Sequence, residues 1–196
     1  MKKSLFFALA LVVAGLGLQS FTTPAVGEYE ADISSSELKW TGYHLAKSYA
    51  HWGYISLKSG QLVLDEKGIA KGEFVIDMNS ISDKDIEKEN DRAKLEGHLK
   101  SDDFFSVKGF PEAKLVIKES KKDGDVYRTV ADLTIKGITK EIKFDTQLKS
   151  IDNNTIEATA DFRVKRTDFN VMYGWNLENA MLDGEFRMEV KVLAKK

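Results

Sequence analysis

Three histidines, His44, His51 and His98, are the residues of this sequence that could bind a metal or transfer protons. Imidazole is a common metal ligand and changes its charge near neutral pH. Their spacing matches no metal-site motif, and the 196 residues include no cysteine to complete one. A fold could still bring two of them together with a carboxylate, but polar roles on a strand or at a helix end fit the pattern better. We therefore predict no metal and no cofactor.

A catalytic nucleophile is also missing from the sequence. Serine hydrolases of one large class carry the serine in a G-x-S-x-G turn, and no such string occurs. Without cysteine there is no thiolate nucleophile either. The pair Asp102 and Asp103 lies in a charged stretch, and with 31 acidic residues in the chain, neighbouring carboxylates are expected by chance. We predict that the protein is not an enzyme.

Arg166 is the charged residue with the most informative position. Successive side chains of a strand point to opposite faces, so Arg166 continues the face of Phe162 and Val164 and points inward as its strand ends. A cation in apolar surroundings is costly unless it is paired. Its partner is either a carboxylate, such as Asp168, or the polar head of a ligand whose tail lies deeper. The two are compatible if ligand and carboxylate compete.

The elements that position these residues are β-strands with one apolar face. In residues 156–165 apolar side chains alternate with polar ones, and residues 131–135, 142–148 and 184–194 repeat the pattern. Turn sequences at 65–68, 122–125, 136–137 and 152–154 separate such runs, and the first strand is broken at 34–36. Only residues 82–100 favour a helix, with Asp83 as its cap. About eight strands without βαβ spacing predict an all-β fold, an antiparallel barrel or sandwich, in one domain over residues 26–196.

Aromatic residues on the predicted inward faces raise the question of what such a barrel encloses. The interior of an eight-stranded barrel is just wide enough to be filled by side chains or to hold one slender ligand. Small inward residues such as Ala158 and Ala160 could leave room for that ligand. A solid core and a ligand cavity both stay open at this point. The aromatic residues concerned are Trp40, Phe74, Phe144, Phe162 and Phe186 on the apolar faces, and Phe104, Phe105, Phe169, Tyr173 and Trp175 in or near connecting segments.

Residues 1–25 have the layout of a secretory signal peptide. Lys2 and Lys3 precede an apolar run over 5–18, which is shorter than the roughly 20 residues of a membrane span, and polar residues follow it. Removal of the two lysines lowers the formal net charge from −2 to about −4. Such an acidic protein lacks a basic surface for nucleic acid or anionic membranes. We expect an exported, periplasmic protein without a stable membrane span once the leader is removed.

Five stretches of the sequence are informative together: Trp40 followed by HWG at 51–53, HLKSDDFF at 98–105, FPEAKL at 110–115, ADLTIKGIT at 131–139 and FRVKRTDF at 162–169. They resemble the YceI-like family. In this order they extend over essentially the whole predicted mature chain, which makes the resemblance far more specific than any single motif. The resemblance implies an extended, lipocalin-like, eight-stranded antiparallel barrel that is exported in bacteria and holds a polyisoprenoid or another long-chain amphiphile.

On that basis we expect a lipid-binding protein that sequesters or transports an isoprenoid or other long-chain lipid. Two other functions stay open: an enzyme that acts on such a lipid or on a quinone, with His51 or His98 as acid or base, and a solid barrel with a structural or stress-related role. A homodimer is among the expected forms. The residues expected to contact the ligand are Trp40, Phe74, Phe104, Phe144, Ala158, Ala160, Phe162, Val164, Arg166, Phe169, Tyr173, Trp175 and Phe186.

Overall fold

The computed structural model describes residues 24–45, 49–172 and 181–196, and most of them lie in β-strands. Within these ranges there is one α-helix, α1, at Glu89–Lys100, and short 3-10 turns lie at Ile33–Ser35 and Arg166–Phe169. The strands are β1 at Gly27–Ala31, β2 at Glu37–His44, β3 at Ala50–Asp65, β4 at Gly68–Asp83, β5 at Glu112–Asp123, β6 at Val126–Ile135, β7 at Ile138–Ser150, β8 at Thr155–Lys165 and β9 at Leu182–Lys195.

The strands form a single antiparallel sheet that closes on itself as an eight-stranded barrel. Each strand from β2 to β9 pairs with the next, and β9 pairs back with β2. The remaining strand, β1, lies in line with β2. Like β2, it pairs with β3 and β9, but nearer the C-terminal end of each of these strands. The break between the two falls at the 3-10 turn that begins after Asp32. The barrel and the interrupted first strand are therefore confirmed.

The predicted alternation of side chains matches the two faces of the barrel wall. On β8, Ile156, Ala158 and Val164 are buried, whereas Arg163 and Lys165 are exposed. Charged residues on the outer face pair across neighbouring strands: Arg128 Nη1 on β6 lies 2.6 Å from Asp145 Oδ2 on β7, and Arg187 on β9 pairs with Asp161 on β8. The outer face is thus a network of exposed ion pairs, and the apolar side chains fill or line the interior.

One end of the barrel is filled by side chains. At the β3–β4 turn, Gly68 has a φ of +124°, and a side chain there would overlap the ring of Tyr127 on β6. Nearby, the buried hydroxyls of Thr129 and Thr146 lie 3.0 Å apart and form a hydrogen bond. Tyr29 from β1 is also buried in the core. An apolar ligand therefore cannot enter from this end without displacing packed side chains.

The helical insert begins later than the sequence predicts. Asp83 is the last residue of β4, and its Oδ1 accepts a hydrogen bond of 2.9 Å from the backbone N–H of Ile86. It therefore caps the turn after the strand, whereas the helix starts at Glu89 after Lys88, which makes no side-chain cap. The correction has a simple cause, since an aspartate bonds as readily to a local turn as to a helix end. No helix in the described part of the chain is long and apolar enough to cross a membrane.

Candidate functional site

The middle of the barrel contains an apolar cavity of about 150 Å³, which we call the inner cavity. Its walls come from every strand of the closed barrel from β2 to β9, and among the described residues that line it only Thr146 and Thr159 have polar side chains. Phe144 and Phe162 stack in its wall with ring centroids 4.6 Å apart. Seven of the residues that were expected to contact a ligand line this cavity: Phe74, Phe144, Ala158, Ala160, Phe162, Val164 and Phe186.

A second cavity, of about 290 Å³, lies between the inner cavity and the other end of the barrel. This outer cavity is formed where β2 and β8 end and where β3 and β9 begin, with α1 and the segment after it on one side. Its lining is mixed in character, because the aromatic residues Trp40 and Phe104 face it together with charged and titratable groups. Those groups are His44, His51, His98, Arg166, Asp183 and Glu185.

The two cavities share Ile81, Phe105 and Phe186 in their linings. The rings of Phe105 and Phe186 meet edge to face, with centroids 6.5 Å apart. Phe105 is only 9% exposed, and its backbone N–H donates a 3.1 Å hydrogen bond to the carbonyl of Leu99 at the end of α1. Phe104 contacts Phe105 on the other side, with centroids 5.1 Å apart. The segment after α1 thus places an aromatic neck between the apolar and the polar cavity.

Arg166 lies inside the barrel end, as its phase on β8 predicts. It is 4% exposed and lines the outer cavity. Its guanidinium donates to backbone carbonyls, at 2.8 Å from Nε to Asp183 O, 2.9 Å from Nη1 to Val171 O and 3.4 Å from Nη2 to Leu182 O. Burial lowers the pKa of Arg166, and the nearby Asp183 carboxylate opposes that effect. Arg166 therefore joins the turn after β8 to the start of β9.

Asp168, the carboxylate that the sequence suggests as a partner of Arg166, forms its ion pair with Lys165 at 3.4 Å. Phe169, in the same 3-10 turn, is 1% exposed and fully packed, and it is not among the residues that line either cavity. Tyr173 and Trp175 lie outside the described residues. Of the remaining predicted contacts, Trp40, Phe104 and Arg166 face the outer cavity, and Phe186 faces both.

The histidines divide into two groups. His44 stacks on Tyr49 at a centroid distance of 3.6 Å and lies 6.3 Å from the ring of His51. Burial and the proximity of His51 both lower the pKa of His44. His98, on α1, instead contacts Phe104 edge to face. The fold therefore brings His44 and His51 together at the wall of the outer cavity and keeps His98 on the helix side.

His51 also lies beside two carboxylates, Asp83 and Asp85, that the sequence analysis did not single out as site residues. His51 Nδ1 lies 2.9 Å from Asp85 Oδ2, and one ligand atom from each of His51, Asp83 and Asp85 lies within 4.8 Å of the other two. Burial raises the pKa of Asp83. The sequence pattern D-x-D at the end of a strand, beside a strand that carries a histidine, is the signal that could have pointed to this cluster.

The comparisons with known proteins agree with this architecture. The family model of the YceI-like domain matches residues 29–194. The chain belongs to the YceI-like family. A UPF0312 protein of Yersinia enterocolitica is 27% identical over 178 residues, which cover 84% of this chain and 88% of that relative. The family resemblance seen in the sequence is therefore confirmed.

Two solved structures are similar to this YceI-like protein in fold. Burkholderia cenocepacia BcnA superposes with a TM-score of 0.70 at 19% identity, and the match covers 84% of this chain and 99% of that one. A polyisoprenoid-binding domain from Saccharophagus degradans, implicated in plant cell wall breakdown, has a TM-score of 0.63 at 12% identity and covers 87% and 99%. At these identities the similarity shows a shared fold.

Proposed function

We propose that this YceI-like protein is an exported, non-enzymatic carrier that binds a polyisoprenoid or a similar long-chain amphiphile. The observation that carries the proposal is the order of the two cavities. An apolar inner cavity and a polar outer cavity meet at the neck of Phe105 and Phe186, which is the layout that an amphiphile needs. The tail lies in the inner cavity and the head group lies near Arg166.

The lining of the inner cavity favours a hydrocarbon chain over a compact polar molecule. Each buried CH₂ group of a ligand contributes about 0.8 kcal/mol, whereas a polar group there would lose its hydrogen bonds to water. The two cavities together fall in the lower part of the range of about 300–1,000 Å³ that small-molecule sites occupy. The neck is made of aromatic rings, so a chain that crosses it leaves no polar group unpaired.

Export to the periplasm is part of the same proposal. It is supported by the basic start at Lys2 and Lys3 and the apolar run over 5–18. Intact mass measurement of the protein from the periplasmic fraction checks it: the expected mass lacks about 20–25 N-terminal residues. A cytoplasmic protein of full mass would refute this part and leave the cavity argument untouched.

Native mass spectrometry after mild purification tests the carrier function. We expect a population of the protein with one bound lipid, and solvent extraction should release a long-chain amphiphile that a matched column blank lacks. The same spectra report whether the carrier is a monomer or a homodimer. A protein that carries no lipid, and that binds neither a polyisoprenol nor a polyisoprenyl phosphate when these are added, would refute the proposal.

A lipid-modifying enzyme is the second candidate, and one observation favours it. His51 and Asp85 form a hydrogen-bonded pair, and His51 lines the outer cavity where a head group would lie. A histidine held by a carboxylate is an arrangement that general bases use. Incubation with the extracted lipid decides between the two functions, since a carrier returns its ligand unchanged and an enzyme returns a product whose formation stops in His51→Gln.

A further inference from the structure

The cluster of His51, Asp83 and Asp85 lies at the wall of the outer cavity, which His51 lines and the two aspartates do not. His51 is on β3, Asp83 ends β4 and Asp85 follows it in the link to α1. Asp83 is 1% exposed, and within the described part of the chain its Oδ2 atom is buried with no hydrogen-bond partner. A buried carboxylate oxygen without a hydrogen-bond partner is costly, so a cation bound close to this atom would stabilise the folded protein.

The backbone orients both carboxylates in the same way. Asp83 Oδ1 accepts a 2.9 Å hydrogen bond from the N–H of Ile86, and Asp85 Oδ1 accepts a 2.8 Å hydrogen bond from the N–H of Trp52. In each residue one oxygen is thereby fixed and the other, Oδ2, points into the cluster. The Oδ2 atom of Asp85 meets His51 Nδ1 at 2.9 Å. One ligand atom from each of the three residues thus lies within 4.8 Å of the other two.

The charge of the cluster is not balanced by neighbouring side chains. Among the ion pairs of the described residues, His51 is the one basic residue that pairs with either carboxylate. The backbone N–H of Asp83 is itself bonded to Glu96 Oε1 on α1 at 2.9 Å, which brings a further carboxylate close. The carboxyl groups of Asp83 and Asp85 also interact directly, and the repulsion between their ionised forms is relieved either by a shared proton or by a cation between them.

We propose that His51 Nδ1, Asp83 Oδ2 and Asp85 Oδ2 bind a divalent transition-metal ion, with Zn²⁺ as the first candidate. One imidazole and two carboxylates suit Zn²⁺, which binds both ligand types at about 2.0–2.2 Å. Two ligands at that distance and a tetrahedral angle lie about 3.4 Å apart. Metal binding would therefore move His51 Nδ1 and Asp85 Oδ2, now 2.9 Å apart, away from each other, and would bring ligand atoms that lie up to 4.8 Å apart closer by up to about 1.4 Å.

Three protein ligands leave one position on the metal open. This is the arrangement of zinc sites that bind water or another small ligand, as opposed to closed structural sites. Because the ligands come from β3, β4 and the link to α1, the metal would also join the barrel wall to the helical insert. The site does not depend on a bound lipid, so metal binding and the carrier function succeed or fail separately.

Zinc titration of the full protein, stripped with a chelator and freed of it by dialysis, tests the site. We expect one Zn²⁺ per chain by isothermal titration calorimetry and a melting temperature that rises with the free Zn²⁺ concentration. Co²⁺ serves as a spectroscopic probe, because a tetrahedral site gives visible absorption bands that are far more intense than those of octahedral aqueous Co²⁺. A protein that takes up neither ion in this way would overturn the proposal.

Two variants locate the binding. Asp83→Asn keeps the size of the side chain and its bond to Ile86, and His51→Gln removes the nitrogen ligand; each should weaken Zn²⁺ binding by at least about tenfold. Asp125→Asn in the exposed β5–β6 turn and His98→Gln on α1 are the matched controls and should bind like the parent protein. Circular dichroism without metal checks that the variants fold. If folded Asp83→Asn and His51→Gln proteins bind Zn²⁺ as tightly as the parent, the assignment is wrong.

Discussion

Phe105 and Phe186 meet at an interplanar angle of 88°, and their rings form the boundary between the apolar and the polar cavity. Phe186 belongs to β9, whereas Phe105 comes from the irregular segment that follows α1. The neck is therefore made by one residue of the barrel wall and one residue of the insert. The segment after α1 closes the inner cavity, and its removal would expose that cavity to the outer one.

Truncation of the neck should be costly for stability. The double variant Phe104→Ala and Phe105→Ala is expected to lower the free energy of unfolding by several kcal/mol, since a buried aromatic truncation costs about 3–5 kcal/mol and Phe105 is the more buried of the two. Urea denaturation measures the effect. Phe110→Ala is the control, because Phe110 is 39% exposed and should cost far less. An unchanged midpoint for the double variant would contradict the role of this segment.

Filling the inner cavity should abolish lipid binding. Ala160 lies on β8 and lines the cavity, so the series Ala160→Val, Ala160→Leu and Ala160→Phe replaces free volume with side chain in three steps. We expect the amount of bound lipid to fall along the series. Stability should change by no more than about 1–3 kcal/mol, the usual cost of an overpacked core. Equal lipid content in all three folded variants would show that the tail lies elsewhere.

Arg166 should control the preference for the head group. Arg166→Met keeps an apolar stem but deletes the donors to three carbonyls, so we expect lower stability together with a weaker preference for charged over neutral heads. Arg166→Lys keeps the charge but not the planar guanidinium, which can donate two parallel hydrogen bonds, and should retain part of that preference. Binding of two lipids with equal chain length and different heads provides the measurement. A folded Arg166→Met protein with the parent's full preference would remove Arg166 from the site.

Gly53 should be intolerant of any side chain. It pairs with Asp83 across β3 and β4, and an added Cβ would overlap the carbonyl oxygen of Ser82, which also accepts a hydrogen bond from the Trp40 indole. Gly53→Ala is therefore expected to separate the strands beside the His51 cluster and to lower the unfolding free energy by at least about 1–3 kcal/mol. Gly42→Ala is the matched control on β2, since in the described part of the chain no atom outside the adjacent residues lies within 4 Å of its Cβ position. Tryptophan fluorescence during denaturation measures the unfolding midpoint of each variant. Equal midpoints for Gly53→Ala and Gly42→Ala would refute the steric argument.

Asp32 should make stability depend on acid pH. Its Oδ2 lies 2.6 Å from Lys195 Nζ, and hydrogen bonds from Lys195 and Ser34 hold the pKa of Asp32 well below its ordinary value of 3.8. A depressed folded-state pKa stabilises the protein above pH 3.8, and this contribution is lost as the pH falls toward the folded-state pKa. The melting temperatures of the parent and Asp32→Asn should thus differ at pH 7 and converge below about pH 4. A difference that persists unchanged at low pH would contradict this sign.

The sequence predicts the barrel well, because the alternation of apolar and polar residues shows which side chains point to the interior of the barrel and which point to solvent. Ile156, Ala158 and Val164 had to share a face whatever their neighbours were, and the break after Asp32 follows from local serine-rich sequence. The predicted start of the helix is wrong, because Asp83 caps the turn that follows β4 and not the helix.

The candidate site, like the fold, could be predicted from the sequence only in part. The position of Arg166 inside the barrel follows from the alternation of side chains along β8, which ends one residue before it. The carbonyl groups of Asp183 and Val171 that accept its hydrogen bonds could not be predicted, because the tertiary fold brings them to Arg166. The cluster of His51, Asp83 and Asp85 was missed because His51 lies more than 30 positions before the D-x-D pair of Asp83 and Asp85, and no known motif joins them. Tertiary pairing of β3 with β4 creates that cluster, and strand alternation alone does not report which strands become neighbours.

Closure of the barrel also has a consequence for the order of folding. The backbone N–H of Asp32 bonds to the carbonyl of Leu193 at 2.7 Å, so the sheet closes through residues that are about 160 positions apart. β9 is the partner of β1, β2 and β8 at once, and none of these pairings can form until residues 182–195 have been synthesised. Such long-range pairing is slow, on the order of milliseconds to seconds. The sheet of the nascent chain therefore stays open between β8 and β2 until synthesis is complete. Pairing of the last strand, β9, with both neighbours then closes the barrel around the inner cavity.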